Sequence, residues 1–169
     1  MKQVKNLVLV ALFTLGLGSV AHAQKTGHIN TDKLLSEMPA TKALKTEMEK
    51  LQKTYKDEIS AFAKQLQDTY KKYEAEAATQ TEETNTKRAQ EMQQGQSQLA
   101  QAEQAATQDM QRKYQEKLGP IVEKAMKAIQ EVAAAKNVIY VFDSSLGKGL
   151  IVFEKGEDLF GAVKTKLGF

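Results

Sequence analysis

Two stripes of apolar residues, each repeating every eleven positions, constrain this chain more than any other feature. The first runs through Leu44, Met48, Leu51, Tyr55, Ile59, Phe62, Leu66, Tyr70, Tyr73 and Ala77. The second runs through Leu99, Ala102, Ala106, Met110, Tyr114, Leu118, Ile121, Ala125, Ile129 and Val132. Steps of four, three and four residues close on about 3.67 residues per turn, so each stripe stays on one side of a nearly straight helix. Two such helices bury their stripes by folding back on each other. Residues 79–98 between them hold hardly any large apolar side chain. The tip of the hairpin is expected there, with the reversal at 82–88 because Asn85 and its threonine neighbours favour turns over helix interiors. At about 1.5 Å per residue, helices of roughly forty residues reach on the order of 60 Å. That is an arm rather than a compact domain.

The code changes on either side of the arm. Residues 138–142 (Val-Ile-Tyr-Val-Phe) and 150–153 (Leu-Ile-Val-Phe) are β-branched and aromatic and predict two strands joined by a loop over 143–149. A further short strand is expected over 27–30, followed by a helical turn through Leu34 and Leu35 that Thr31 or Asp32 caps and Pro39 interrupts. Gly119-Pro120 predicts a kink where the arm joins a body, and 158–167 a closing helix capped by Asp158. The organisation expected is 1–23 as a leader, 24–39 as first strand and short helix, 40–117 as arm, and 118–169 as arm root, two strands and closing helix.

The fold class that follows is mainly α with a small β component: a long antiparallel helical hairpin (arm) attached to a small body whose sheet is completed by oligomerisation. Three short strands bury too little surface to hold such an arm alone. Copies of the same chain, pairing exposed strand edges about a symmetry axis, complete the sheet most simply. The residues expected in that shared body are Ile29, Val138, Tyr140, Phe142, Leu150 and Val152.

The first residues predict export. Lys2 and Lys5 precede an apolar run over 7–17, and Ala21-His22-Ala23 forms a small-x-small cleavage site. The apolar run is about half the length that spans a bilayer. With no cysteine in the chain, disulfides and a lipobox are both ruled out. Removing the leader with its two lysines leaves 22 basic against 21 acidic residues, a formal +1. So balanced a chain does not fit a nucleic-acid binder that relies on clustered phosphate contacts.

Candidate chemistry is sparse. His28 is the sole histidine left after the leader, so one chain cannot assemble a His-based metal cluster or a His-dependent triad. Carboxylate neighbours such as Glu47 and Glu49, or Glu82 and Glu83, fall in a helix with i,i+3 and i,i+4 lysines and form solvated faces. Gly147-Lys148-Gly149 lacks the full glycine pattern and following helix of a phosphate loop. No enzyme, metal or cofactor is expected. Tyr55, Phe62, Tyr70 and Tyr73 lie on the first stripe and belong either to the hairpin seam or to a surface that meets a client, since an arm two helices wide cannot cover every large side chain. Lys87 and Arg88 are the candidate tip charges, suited to weak contact with lipid heads or an acidic client.

The order of elements resembles the Skp/OmpH family of periplasmic chaperones over essentially the whole chain after the leader. The residues that carry the resemblance are Gly27-His28-Ile29-Asn30-Thr31, then Leu118-Gly119-Pro120-Ile121 with Ala125, Ile129 and Val132. Val141-Phe142-Asp143, and Asp158-Leu159 with Val163 and Lys166-Leu167-Gly168, complete the set. The resemblance implies a periplasmic homotrimer, a small β-barrel body and three helical arms that enclose unfolded outer-membrane proteins without ATP. It implies no catalytic residue. The arm departs from the basic character of the best-known members, since residues 40–117 carry 13 basic and 13 acidic side chains. The family's lipopolysaccharide site has no position-by-position match here. A structural or adaptor coiled coil of the cell envelope is the alternative that the same stripes allow.

Overall fold

The computed structural model describes residues 25–148, 151 and 153–169; the leader, and with it the expected cleavage site, lies outside the described residues. The elements are β1 (Thr26–Ile29), α1 (Thr31–Glu37), α2 (Pro39–Glu76), a 3-10 turn (Ala77–Thr79), α3 (Glu82–Ala135), β2 (Tyr140–Asp143), β3 (Glu157–Asp158) and α4 (Phe160–Leu167). The protein is mainly helical, with one small three-stranded sheet. Among the described residues, no helix is long and apolar enough to cross a membrane.

β1 is the middle strand, and β2 and β3 both pair with it in parallel, in the order β2-β1-β3. Parallel neighbours require a crossover connection, and the connection from β1 to β2 is the entire hairpin. Gly27 allows the close fit on both sides of β1. A Cβ there would stand 3.2 Å from the Glu157 carbonyl oxygen, 3.2 Å from Val138 Cγ1 and 3.3 Å from Leu159 Cδ1.

One face of the sheet packs against the helices; on the other, Tyr140 and Phe142 are exposed while His28 is mostly covered. Gly27 and Ile29 are buried on the covered face. There Ile29 joins Leu34, Leu159 and Val163, all essentially inaccessible, against Ala125, Ile129 and Val132 from the end of α3. Each fully buried aliphatic side chain contributes roughly 1.5–3 kcal/mol, so this cluster is the main source of stability in the body. The second half of the predicted returning stripe supplies its helical wall.

Several boundaries differ from the sequence reading. Asn30, not Thr31 or Asp32, caps α1, its Oδ1 accepting the Lys33 N–H at 2.8 Å. Thr31 is instead engaged with Asp143. The reversal occupies residues 77–81, and 82–88 is already the start of α3, capped by Thr81. Asn85 serves that reversal from inside the helix, its amide donating to the Ala77 carbonyl at 2.9 Å. α3 runs through Gly119-Pro120 without a break. The donor that proline lacks would have faced residue 116, which is exposed and open to water.

Of the strand predicted at 150–153, Ile151 and Phe153 are in no strand, whereas Leu150 and Val152 lie outside the described residues. The third strand is Glu157–Asp158, too short and too acidic to show a strand pattern. α4 begins at Phe160, whose N–H donates to Asp158 Oδ1 at 2.8 Å, so the aspartate acts two residues ahead of the helix.

α3 ends in a Schellman motif that turns the chain into β2. Asn137 takes φ 54°, Val138 N–H donates to the Ala133 carbonyl at 2.9 Å and Asn137 N–H to Ala134 at 3.1 Å. After β2, Asp143 locks the following loop onto the start of α1. Its carboxylate accepts the Thr31 hydroxyl at 2.6 Å, the Ser145 hydroxyl at 2.6 Å and the Ser145 N–H at 3.0 Å, and pairs with the Lys148 ammonium. Burial pushes the Asp143 carboxyl up, but the Lys148 ammonium and the Ser145 and Thr31 hydroxyls outweigh it and hold the group well below the usual carboxylate range.

Replacing Asp143 with Asn should cost about 1–2 kcal/mol at neutral pH, because a charged acceptor is lost from a partly buried network. A carboxyl whose folded value lies below its unfolded one stabilises fully above about pH 4, and that contribution fades as pH falls further. Urea midpoints of the wild type and Asp143→Asn should therefore differ at neutral pH and converge on acidification below about pH 4. A gap that stays constant would contradict the lock.

Candidate functional site along the helical arm

α2 has 38 residues, so at about 1.5 Å per residue the arm projects roughly 57 Å from the body. Its two helices are held in one register by side chains that meet across the seam. Lys117 pairs with Glu47 at 2.7 Å, the Tyr55 hydroxyl donates to Asp109, the Tyr73 hydroxyl donates to Glu91 at 2.8 Å, and Arg88 pairs with Glu76 at 2.6 Å. From rung to rung the α2 residue number rises by as much as its partner's falls. The register therefore never slips between base and tip.

Apolar contacts fill the spaces between these rungs. Leu44 and Met48 are buried at the base, Leu51, Ile59, Phe62 and Leu66 are half-buried farther out, and Met92 is buried near the tip. Gly95 is buried opposite Leu66, where a Cβ would come within 2.4 Å of Leu66 Cδ1. This glycine lets α2 and α3 approach closely, which explains its place inside a helix that its backbone entropy disfavours.

Two grooves open where the seam is incompletely covered. In the first, of about 450 Å³, Tyr55, Ile59 and Phe62 face the short side chains of Ala102, Ala105 and Ala106, with Glu58 and Asp109 also in the lining. The second, of about 480 Å³, sets Tyr70, Tyr73 and Glu74 of α2 against Arg88, Met92 and Gln93 of α3. Alanines matched against aromatics cannot close the surface over them. The first groove also holds the tightest polar cluster of the arm. Lys113, the Tyr55 hydroxyl and Arg112 hold the Asp109 carboxyl well below the carboxylate range, while Asp109 in turn pushes the Tyr55 hydroxyl up.

The predicted client-contact or seam residues divide accordingly. Tyr55, Phe62 and Tyr73 are half-buried in the seam with one side open to a groove, whereas Tyr70 is 54% exposed. Of the candidate tip charges, Lys87 is largely exposed and Arg88 mostly covered. Both stand on α3 beyond the reversal; Lys87 pairs with Glu83 at 2.7 Å, and Arg88 is held by Glu76 and lies 4.4 Å from the centre of the Tyr73 ring.

In the body, Ile29 and Val138 are buried within one chain, while Tyr140 and Phe142 point outward at 62% and 46% exposure. Leu150 and Val152 lie outside the described residues. His28 lies on the same face as Phe142 but is mostly covered, its Nδ1 3.1 Å from Glu154. Among the described residues, no group of three or more His, Cys, Asp or Glu side chains is placed to hold a metal ion.

The seam's polar rungs and the Asp143 lock were not legible as such, since tyrosines and acids on separate helices carry no pairing signal until the register is known. Gly95 carried only a weak one, as a lone glycine in a helical pattern is disfavoured but tolerated.

The family described as outer membrane protein (OmpH-like) matches residues 25–167. No curated protein matches. Among solved structures, a crystal structure at 2.83 Å from Caulobacter crescentus CB15, described as an OmpH-like outer membrane chaperone, superposes with a TM-score of 0.76 at 15% identity. The likeness covers 89% of this chain and 88% of that one. At that identity it establishes the fold alone.

The Gly95 contact yields a graded expectation. Gly95→Ala should change stability little, because the gain in helix propensity of about 1 kcal/mol offsets a rotation of the flexible Leu66 end. Gly95→Leu should destabilise by about 1–3 kcal/mol through overpacking, with the loss localised to the arm. Amide exchange would check this, with faster exchange expected in the outer arm and an unchanged rate in the body core.

Proposed function

The chain belongs to the OmpH-like family, and from that premise we propose that it is an ATP-independent periplasmic chaperone that holds unfolded outer-membrane proteins between helical arms and keeps them from aggregating. It is not an enzyme. The observation that carries the reading is the arm itself. Its register is fixed by polar rungs, yet its seam leaves aromatic and aliphatic side chains open along much of its length. Grooves that bind apolar segments weakly and at many points can shield aggregation-prone strands and release them without nucleotide hydrolysis.

The body supports a shared assembly. The outer face of the sheet bears Tyr140 and Phe142, their rings 6.4 Å apart, together with Phe153 at 77% exposure. Among the described residues, no strand pairs with the free edge of β2. A bare aromatic face beside an open strand edge invites aggregation unless something covers it. Copies of the same chain would cover it, close the strands into a small barrel and set three arms around a central cavity. The predicted leader and the OmpH-like family support a periplasmic location for this assembly, where such clients would pass unfolded.

The test is suppression of aggregation. Stoichiometric mature protein should keep a urea-unfolded outer-membrane barrel soluble on dilution, without ATP, as followed by light scattering. Tyr70→Ser, at the exposed member of the four candidate aromatics, should weaken that protection while leaving the helical signal intact. Full aggregation in the presence of the wild type, or purification with one fixed folded partner in place of unfolded clients, would instead favour an envelope adaptor.

A further inference from the structure

The tip-side half of α3 carries little charge. Residues 89–108 hold eight glutamines but only two charged side chains, Glu91 and Glu103, and no cation. Six of the glutamines, Gln90, Gln94, Gln98, Gln101, Gln104 and Gln108, recur at steps of three and four and so share one face over about five helical turns. All six are exposed. Glu91 is engaged by the Tyr73 hydroxyl at 2.8 Å, and Glu103 falls on the opposite side of the helix. The face ends at two ion pairs, Lys87 with Glu83 toward the tip and Arg112 with Glu116 toward the base. Between them it is polar and uncharged.

Its hydrogen-bonding capacity is nearly unused. Each glutamine amide offers two N–H donors and a carbonyl acceptor. Among the described residues, the one side-chain hydrogen bond these six make is a 3.4 Å contact from Gln101 to the Ser97 hydroxyl.

The amides also border the first groove. Ala105, which lines that groove, lies one turn from both Gln101 and Gln108, and Ala102, also in the lining, lies one turn from Gln98. Tyr55, Ile59 and Phe62 form the opposite wall. Of the two acids there, Asp109 is engaged by Lys113 and Arg112, which leaves Glu58 as the single unpaired charge of the groove among the described residues. An apolar trough thus runs beside a row of neutral amides. An extended polypeptide presents the same two characters side by side, with backbone N–H and C=O groups along its edge and every second side chain on one face. The lengths agree as well. From Gln90 to Gln108 the helix rises roughly 27 Å, the span of about eight residues of extended chain.

We propose that the glutamine face of α3 grips the backbone of an extended, unfolded polypeptide segment whose alternate apolar side chains enter the groove of Tyr55, Ile59 and Phe62. The proposal rests on the holdase reading and names what the arm recognises, which is main-chain amides and apolar alternation instead of charge. Neutral amides accept any sequence, and each bond is individually weak, so a bound segment leaves without an energy source. Capture by an arm with balanced charge then needs no ionic attraction.

The test uses the full mature protein and two unstructured fluorescent peptides of the same sequence, alternating phenylalanine with serine, one of them N-methylated at every backbone amide. Anisotropy titrations should show the unmodified peptide binding about five- to tenfold more tightly, although the added methyl groups favour apolar binding of its counterpart. Its affinity should change less than about twofold between low and high salt, since no ion pair contributes. Gln98→Ala, Gln101→Ala and Gln108→Ala combined should keep the helical content, because alanine favours helix, and weaken the unmodified peptide about tenfold while erasing most of the difference between the two. Equal or reversed binding of the two peptides, affinity that collapses as salt is raised, no binding of either, or a triple variant that binds like the wild type would each overturn the proposal. Aggregation suppression measured alongside separates the two failures: protection without a backbone preference leaves the holdase reading standing, whereas loss of both removes it.

Discussion

The fold depends on one strand, Thr26–Ile29, being held in the middle of the sheet by partners from the opposite end of the chain. β1 cannot bury Ile29 until β2 and β3 have come back beside it, and they follow only after the complete hairpin. The arm is therefore the crossover of a parallel pair, drawn out to many times its usual length. Gly27 sets how tightly the strands close, and the Leu34, Leu159 and Val163 cluster seals one face over them. Closure of so long a loop is entropically tolerable because the cost grows only with the logarithm of its length. The seam of α2 and α3 offsets much of it by bringing the ends together beforehand.

That arrangement divides the molecule into two regimes. The body is apolar, close-packed and locked by the Asp143 network, so it resists local opening. The arm buries a narrow stripe and relies on rungs such as Lys117 with Glu47 and Arg88 with Glu76, partly exposed pairs that fix register more than they add stability. Segments with few buried contacts open at low free-energy cost. An arm that yields while its root stays rigid suits a binder that must accept many shapes.

Long-period features were legible in the sequence because helical periodicity integrates over many residues. Both stripes and the polar stretch between them could be read directly, whereas the packing of Ala125, Ile129 and Val132 in the body core could not. The strand at Glu157–Asp158 was hidden because two acidic residues form a strand only when a neighbour demands it, and Leu150-Ile151-Val152-Phe153 offered a stronger local signal. The reversal falls a few residues before the turn-favouring Thr84 and Asn85, which instead supply contacts from the first turn of α3 to Thr81 and Ala77. Of the candidate site residues, Tyr55, Phe62, Tyr70 and Tyr73 were legible as a group shared between seam and surface, but which of them stays exposed was not. Nor was the setting of Arg88, since its engagement by Glu76 and Tyr73 depends on a register that no single helix reveals.

The account holds that copies of this chain cover the aromatic face of Tyr140 and Phe142 and set their arms around one unfolded client. Native mass spectrometry of the mature protein, mixed with an unfolded outer-membrane barrel at equal concentration of assemblies, tests that most directly. The account predicts a three-chain species that takes up one client as a single complex. A mature protein that stays a single chain at micromolar concentration, or a three-chain species that never gains the mass of a client, would contradict it.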